Sequence, residues 1–340
     1  MKAVCIDGGF GLDNLTLTDR PEPEPGPGQV RLKMKAASLN YRDLLTVQGL
    51  YNPRQPLPLV PCSDGVGEVL ELGEGVTRVK VGDRVCPIFS QRWLSGEPAH
   101  DKVRSTLGGP LDGTLAEQMV VDAESVVHVP HHLTDFEAAA LPCAAVTAWT
   151  ALVTEGLTKA GDTVLVQGTG GVALFALQIA RLHGARVIIT SSSDDKLARA
   201  AELGAAHGVN YVKTPAWGKA VRELTNGRGV DHVVELGGAG TLEQSLKAVR
   251  IGGRISIIGV LSGVQTSLVL TSVLMACVRL QGIMVGHRES FEALVRALTT
   301  AGPDLRPVID QTFPLADVRH GFEHMAAGKH FGKIAVQIAE

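Results

Sequence analysis

Between about His128 and Gly286, apolar residues fall into short unbroken runs separated by longer mixed stretches. Thr163–Gln167, Ala185–Thr190, Val230–Glu235 and Gly253–Gly259 are such runs, short and rich in β-branched residues, so each predicts a strand. Val172–His183 and Asp194–Leu203 predict helices stopped by Gly184 and Gly204, and a third helix covers about Leu242 to Val249. Ahead of them, Thr134-Asp135-Phe136-Glu137 has the spacing of a capping box that opens a helix. Strand and helix in alternation, with strands apolar throughout, predict an α/β fold: a doubly wound parallel sheet covered on both faces.

The residues before this region have a different texture. From Met1 to about Val127 the chain is rich in β-branched residues and turns, with an extended loop at Pro21–Gly28. Gly65–Gly73 and Val79–Val85 predict short strands joined by glycine turns, the composition of a small barrel-like β domain. After His287 come a helix near Ser290–Thr299 and a last strand, Lys333–Ile338, which is expected to return to the first domain. The predicted division is therefore 1–127 with 287–340 as a mainly β, barrel-like catalytic domain, and 128–286 as the parallel-sheet domain.

Composition then narrows the classes of function. Apolar residues make up 45% and charged residues 20% of 340, enough for a substantial core in two domains. A formal net charge of −3 gives no general attraction to nucleic acid or anionic membrane. The oily stretch Leu268–Val278 is broken by Thr271 and Ser272 and is too short to span a bilayer. No tripartite leader precedes the first strand-like residues, and the five cysteines are scattered and never form a C-x-x-C pair. Reduced thiols and a cytoplasmic location are the expectation.

Gly168-Thr169-Gly170-Gly171-Val172-Ala173 follows a predicted strand and opens a predicted helix. Free backbone N–H groups and the helix dipole at such a start favour a pyrophosphate, as in a Rossmann domain. Gly168 suits the tight turn, Gly170 lets the phosphates approach, and Ala173 still permits close helix–sheet packing. At the end of the second strand an NAD site carries a carboxylate for the ribose 2′-hydroxyl. Here stand Ser191, Ser192 and Ser193, with Lys196 one turn on. Hydroxyls and an ammonium suit a 2′-phosphate, so NADP(H) is the expected cofactor, although the same serines can also cap the helix at Asp194.

With these residues in view, the chain resembles the medium-chain dehydrogenase/reductase superfamily from end to end. Gly65–Arg84, Leu141–Leu152, the Gly168 turn and the closing His330-Phe331-Gly332-Lys333-Ile334 carry the likeness. Within it, the chain is similar to the zinc-independent, quinone-oxidoreductase-like branch. The resemblance implies a threonine near the nicotinamide at Thr147, and a 2′-phosphate held by Lys196 and Tyr211. It also implies loops along the nicotinamide ribose at Gly259, Val260, Leu261, Val285 and His287, and a cofactor-facing closing motif at Phe331 and Lys333. Plain structural readings stand beside two of these: Tyr211 can simply end a strand, and His287 can cap the following helix. A cleft between the domains and a homodimer through the Arg279–Val285 strand are further implications.

The zinc-dependent members use a Cys, a His-Glu pair and a second Cys. Here those positions read Asn40, Ser63-Asp64 and Cys143, and Phe89–Gly113 holds no cysteine for a structural zinc. Asn40 and Ser63 are poor zinc ligands, so no metal is expected. A rearranged set of Cys62, Asp64 and Cys143 is the alternative, and His320 with His324 has ligand spacing on a helix, which a surface helix explains more simply. Cys143 is expected to be a buried thiol.

Without a Lewis acid, hydride acceptors that delocalise the arriving charge are favoured: quinones and α,β-unsaturated carbonyls. On the loop that carries the first zinc ligand in relatives, Asn40 and Tyr41 become candidates to polarise a small electrophilic substrate, with Asp43 orienting them. Tyr51 and Trp93 are candidates to line the pocket, core packing being the competing reading for Tyr41 and Trp93. Two other functions compete: an alcohol dehydrogenase with atypical zinc ligands, and a dinucleotide-binding protein with little catalysis.

Overall fold

Along Gln29–Leu39, Val30, Leu32, Met34 and Ala36 are buried and alternate with half-buried neighbours; from Ala36 to Leu39 every side chain is buried. This strand is the centre of its sheet because it can be covered on both sides at its C-terminal end. A computed structural model describes residues 1–339, the side chain of Asp304 excepted. The chain forms two units, one of Met1–Val146 with Val285 onward, the other Thr147–Met284.

In the first unit a seven-stranded, mainly antiparallel sheet surrounds Gln29–Leu39. Asp64–Leu72 runs along one side, pairing Ala37 with Gly65 and Ser38 with Asp64. Lys333–Gln337 runs along the other, pairing Ile334 with Leu39, and it continues in parallel to Ile309–Pro314. Leu39, Leu44, Leu59, Leu115, Phe322 and Ile334 belong to the core beneath these strands. The expected strand Val79–Val85 is a turn for most of its length. Gly82 has a φ of 88° and the Asp83 carboxylate accepts from the Lys80 N–H at 3.0 Å, so only Arg84–Pro87 pairs as a strand.

The second unit is a six-stranded sheet in which every pairing is parallel. Its spatial order is His207–Asn210, Arg186–Ser191, Thr163–Gln167, Val230–Glu235, Val249–Ile257, Arg279–Gly282. Numbered within the unit, that is the 3-2-1-4-5-6 order of a doubly wound dinucleotide-binding domain, whose ligand site lies where the order reverses. Thr163–Gln167 and Val230–Glu235, the two strands at that reversal, are buried at every position.

The boundary after residue 127 shifts. The helix Asp135–Ala139, opened by the Thr134/Glu137 capping box, packs on strands Gln29–Leu39 and Asp64–Leu72, and Cys143 bonds to Asp64. Residues up to Val146 therefore belong with the first unit, and the second begins at Thr147.

Candidate active site

In the second unit, a cavity of about 1040 Å³ opens at the strand-order reversal, lined among others by Gln167, Gly168, Tyr211, Gly237, Thr241 and Leu261. Gly168 turns with a φ of 74°, and a side chain there would meet nothing within 4 Å, so its backbone faces open space. The helix Gly171–Leu182 begins immediately after, its N-cap Gly170 offering no side chain to take the first-turn N–H groups. Gly259, by contrast, has no room for a side chain: a Cβ would lie 2.2 Å from the Leu236 carbonyl oxygen. Bare donors at a helix start above an open cavity fit a dinucleotide pyrophosphate.

At the end of the second strand, Ser191 is buried and its hydroxyl accepts from the Ser193 N–H at 3.3 Å. Ser193 caps the next helix by accepting from Lys196 N–H at 3.3 Å, while Ser192 is exposed. Asp194, the nearest carboxylate, is tied to the Lys213 ammonium and to the Asn210 amide at 2.7 Å. Those partners hold its carboxyl below the usual range and offset its charge.

In the first unit, the residues around Asn40 form a closed polar cluster. Asp43 accepts from the Asn40 N–H at 2.8 Å and closes the first turn of the helix Tyr41–Val47. The Asn40 amide donates to Ser63 Oγ at 3.4 Å, Ser63 donates to Asp64 at 2.9 Å, and the Cys143 N–H donates to Asp64 at 3.2 Å. Lys333 completes the group. Its ammonium donates to the Leu39 carbonyl at 2.8 Å and to Asn40 Oδ1 at 2.6 Å, and lies 3.6 Å from Asp64 Oδ2. Asp43 and Asp64 are fully buried and Lys333 is 4% exposed. Burial pushes the Asp43 carboxyl up to about 6 against the pull of the Arg42 guanidinium. Burial also raises Asp64, against the pull of Lys333.

Cys62 precedes this cluster with a φ of 75°, and its thiol donates to the Ser38 carbonyl at 3.3 Å. A side chain on Gly113 would come within 2.0 Å of the Cys62 carbonyl oxygen, so the loop can close over Cys62 only with glycine there. Burial pushes the thiols of Cys62 and Cys143 well up. Among the described residues, no three His, Cys, Asp or Glu side chains are grouped to hold a metal ion. The donor set at Asn40 and Ser63 does not fit zinc, and an ammonium already stands against Asp64.

Two family models cover most of the chain: a zinc-binding dehydrogenase model matches residues 171–300, and an alcohol dehydrogenase GroES-like domain matches 26–131. A zinc-type alcohol dehydrogenase-like protein of Schizosaccharomyces pombe is 42% identical over 90% of this chain and 89% of its own. An acryloyl-coenzyme A reductase of Metallosphaera sedula is 33% identical over 88% of this chain and 90% of its own. The chain belongs to the medium-chain dehydrogenase/reductase superfamily. A solved putative alcohol dehydrogenase from Sinorhizobium meliloti superposes with a TM-score of 0.92 at 43% identity, covering 99% of this chain and 98% of that one. As a medium-chain dehydrogenase/reductase, the protein is an NAD(P)-dependent oxidoreductase.

The remaining candidate residues of this medium-chain reductase divide between the two units. Tyr41 is exposed at the start of its helix, and Tyr51 is exposed beneath the Arg42 guanidinium, 4.9 Å from the ring centre. Trp93 is buried, its indole N–H bonds the Gly96 carbonyl at 2.9 Å, and its ring meets His287 edge-on. His287 caps the helix Arg288–Ala301, accepting from Ser290 N–H at 3.1 Å. Val285 is buried with a φ of 50°, unusual for a β-branched residue.

Phe331 is buried, and Lys333 turns to Asn40 at the end of the central strand. His320 and His324 do not form a ligand pair: His320 is exposed, and His324 is bonded to Asp310 at 2.8 Å. Thr147 is buried in the Val146–Trp149 turn, while Val260, Leu261 and Tyr211 are exposed. Val172 lies in the first turn of Gly171–Leu182.

The motif reading missed Glu235. Fully buried, it accepts from the Gly237 N–H at 3.0 Å and the Gly238 N–H at 2.9 Å, which fixes the loop lining the cavity. The signal was present: a carboxylate ending an apolar run directly before a Leu-Gly-Gly turn.

Proposed function

We propose that this protein is a metal-independent reductase, preferring NADPH, that acts on conjugated carbonyl acceptors: quinones or α,β-unsaturated aldehydes and ketones. The observation that carries this reading is the Asn40, Ser63, Asp64, Cys143 and Lys333 cluster. It supplies hydrogen-bond donors and an internal cation, with no complete set of zinc ligands.

A nicotinamide dinucleotide, held by the Gly168–Val172 helix start, with Ser191, Ser192, Lys196 and Tyr211 about its 2′-phosphate, supplies the hydride when bound. Gly259, Val260, Leu261 and Thr147 are assigned to its remaining length. A conjugated acceptor passes the arriving electron pair to its oxygen, and hydrogen bonds stabilise the resulting enolate or phenolate without a Lewis acid. Asn40 Nδ2 is assigned such a bond, and the Tyr41 phenol a second. A proton taken from water completes the saturated carbonyl or the hydroquinone. The acryloyl-coenzyme A reductase among the relatives has a conjugated acceptor in its name, which supports this substrate class.

The alcohol dehydrogenase reading draws on the names of other relatives and needs zinc on the same residues. One experiment separates the two. NADPH and NADH oxidation is followed against quinones, enones and saturated ketones, with and without chelator, alongside the metal content of the purified protein. Conjugated acceptors turned over by metal-free protein support the proposal; stoichiometric zinc with chelator-sensitive ketone reduction would replace it.

Among the described residues the edge strand Arg279–Gly282 has a neighbour on one side only, and Leu270, Leu274 and Met275 close by are exposed. We assign this edge to a homodimer, to be checked by sedimentation.

A further inference from the structure

Lysine carries three N–H donors and no acceptor. At Lys333 two of them bond the Leu39 carbonyl and Asn40 Oδ1, and the third faces Asp64. Because the ammonium can only donate, the Asn40 atom 2.6 Å from it must be the amide oxygen. That contact settles which way the carboxamide points. Its NH2 group is turned away from Lys333, donating to Ser63 Oγ at 3.4 Å and held toward the Asp64 carboxylate, whose charge it helps to stabilise. Asn40 is half-buried, so this NH2 group is within reach of a small molecule.

The arrangement follows from strand register. Ile334 pairs with Leu39, which puts Lys333 beside Leu39 and Asn40 at the end of the central strand. A lysine here is costly to bury unless a carboxylate compensates it, and Asp64, fully buried on the neighbouring strand, provides that charge. A divalent cation on Asp64 would be forced close to the ammonium and repelled by it.

We propose that Lys333 is a built-in counter-cation and positioning residue: paired with Asp64, it locks the Asn40 carboxamide so that its NH2 group donates to the substrate's carbonyl oxygen. The inference rests on the reductase reading and assigns the part of the site that replaces the metal. Lys333 itself does not touch substrate. Its effect passes through Asn40.

The test uses the full chain and three variants. Lys333→Met alone would leave Asp64 buried and unpaired, so the informative change is the double variant Lys333→Met/Asp64→Asn, which removes both charges together. Asn40→Asp keeps an acceptor for Lys333 and removes the N–H donors. The third variant combines all three changes. Melting curves and dinucleotide titration establish folding and cofactor binding for each.

Loss of at least tenfold in kcat on an enone is expected for the double variant and for Asn40→Asp, with dinucleotide affinity within twofold of the wild type. The combined variant should lose no more than the worse of the two, since both act through one carboxamide. Independent of turnover, the side-chain NH2 resonances of Asn40, identified by their absence in Asn40→Asp, should be rigid in the wild type and mobile in the double variant. Unchanged kcat, multiplied losses in the combined variant, or an amide equally rigid in the double variant overturns the proposal. If the wild type reduces no conjugated acceptor, the reductase reading fails, and the amide resonances still decide whether Lys333 locks Asn40.

Discussion

The Gln167 amide nitrogen lies 2.6 Å from the Glu235 carboxylate, joining the C-terminal ends of two neighbouring parallel strands. Gln167 Oε1 in turn accepts from the N–H groups of Leu236 and Gly237 at 3.1 Å, and Ser245 and Thr241 donate to Glu235. One buried carboxylate thus holds both the strand reversal and the glycine loop over the cavity. Glu235→Ala should destabilise the fold by about 3 kcal/mol, since it strands several buried donors. Urea unfolding measures that loss. Dinucleotide affinity, read by fluorescence titration, should fall with it, and native affinity in the variant would show that the loop holds its shape without Glu235.

Cofactor choice depends on charge at the end of the second strand. Ser191 is buried there, and the carboxylate of Asp194 is engaged by Lys213 and Asn210. Ser191→Asp puts a new carboxylate where a 2′-phosphate is expected. The ratio of kcat/KM for NADPH over NADH should drop roughly tenfold or more, about 1.4 kcal/mol. Lys196→Ala should weaken NADPH and leave NADH nearly unchanged. Equal effects on both cofactors would place the 2′-phosphate elsewhere.

Much of this was legible before any coordinates. Thr163–Gln167 and Val230–Glu235 are strands over the same residues that the apolar runs predict, because buried parallel strands need unbroken apolar sequence. The Thr134/Glu137 capping box is equally local, so spacing alone exposes it. Lys333 was beyond that kind of reading. Its place beside Asn40 comes from a register between strands far apart in sequence, and register is invisible in composition. The expected strand Val79–Val85 failed over Val79–Asp83 for the opposite reason: its β-branched residues suggest a strand, but Gly82 and the Asp83 carboxylate turn the chain locally.

Leu157 offers a gain in stability. It sits after the helical turn Thr150–Thr154 with a φ of 50° and is 70% exposed. A left-handed conformation costs a residue with a side chain about 1–2 kcal/mol, and little burial is lost on truncation here. Leu157→Gly should raise stability by about 1 kcal/mol and lift the Tm by a few degrees at most. A lowered Tm would mean that the leucine packs more than its exposure indicates.

Asp43 should leave a signature in the pH dependence of stability. Its carboxyl is raised from 3.8 to about 6, chiefly by burial, with Arg42 opposing. Between those two values the folded chain holds a proton at Asp43 that the unfolded chain has released, so Asp43 favours folding less as pH rises. Below the unfolded pKa the side chain is neutral in both states and carries no penalty; above the folded pKa the penalty is complete. The shift corresponds to about 3 kcal/mol at full extent. Asn at position 43 cannot titrate and still presents an oxygen to the Asn40 N–H. The stability of the wild type relative to Asp43→Asn should therefore decline from pH 4 to pH 7, as read from urea midpoints at unit intervals. A difference that stays flat, or grows with pH, would show that the carboxylate is ionised throughout, with Arg42 outweighing the cost of burial.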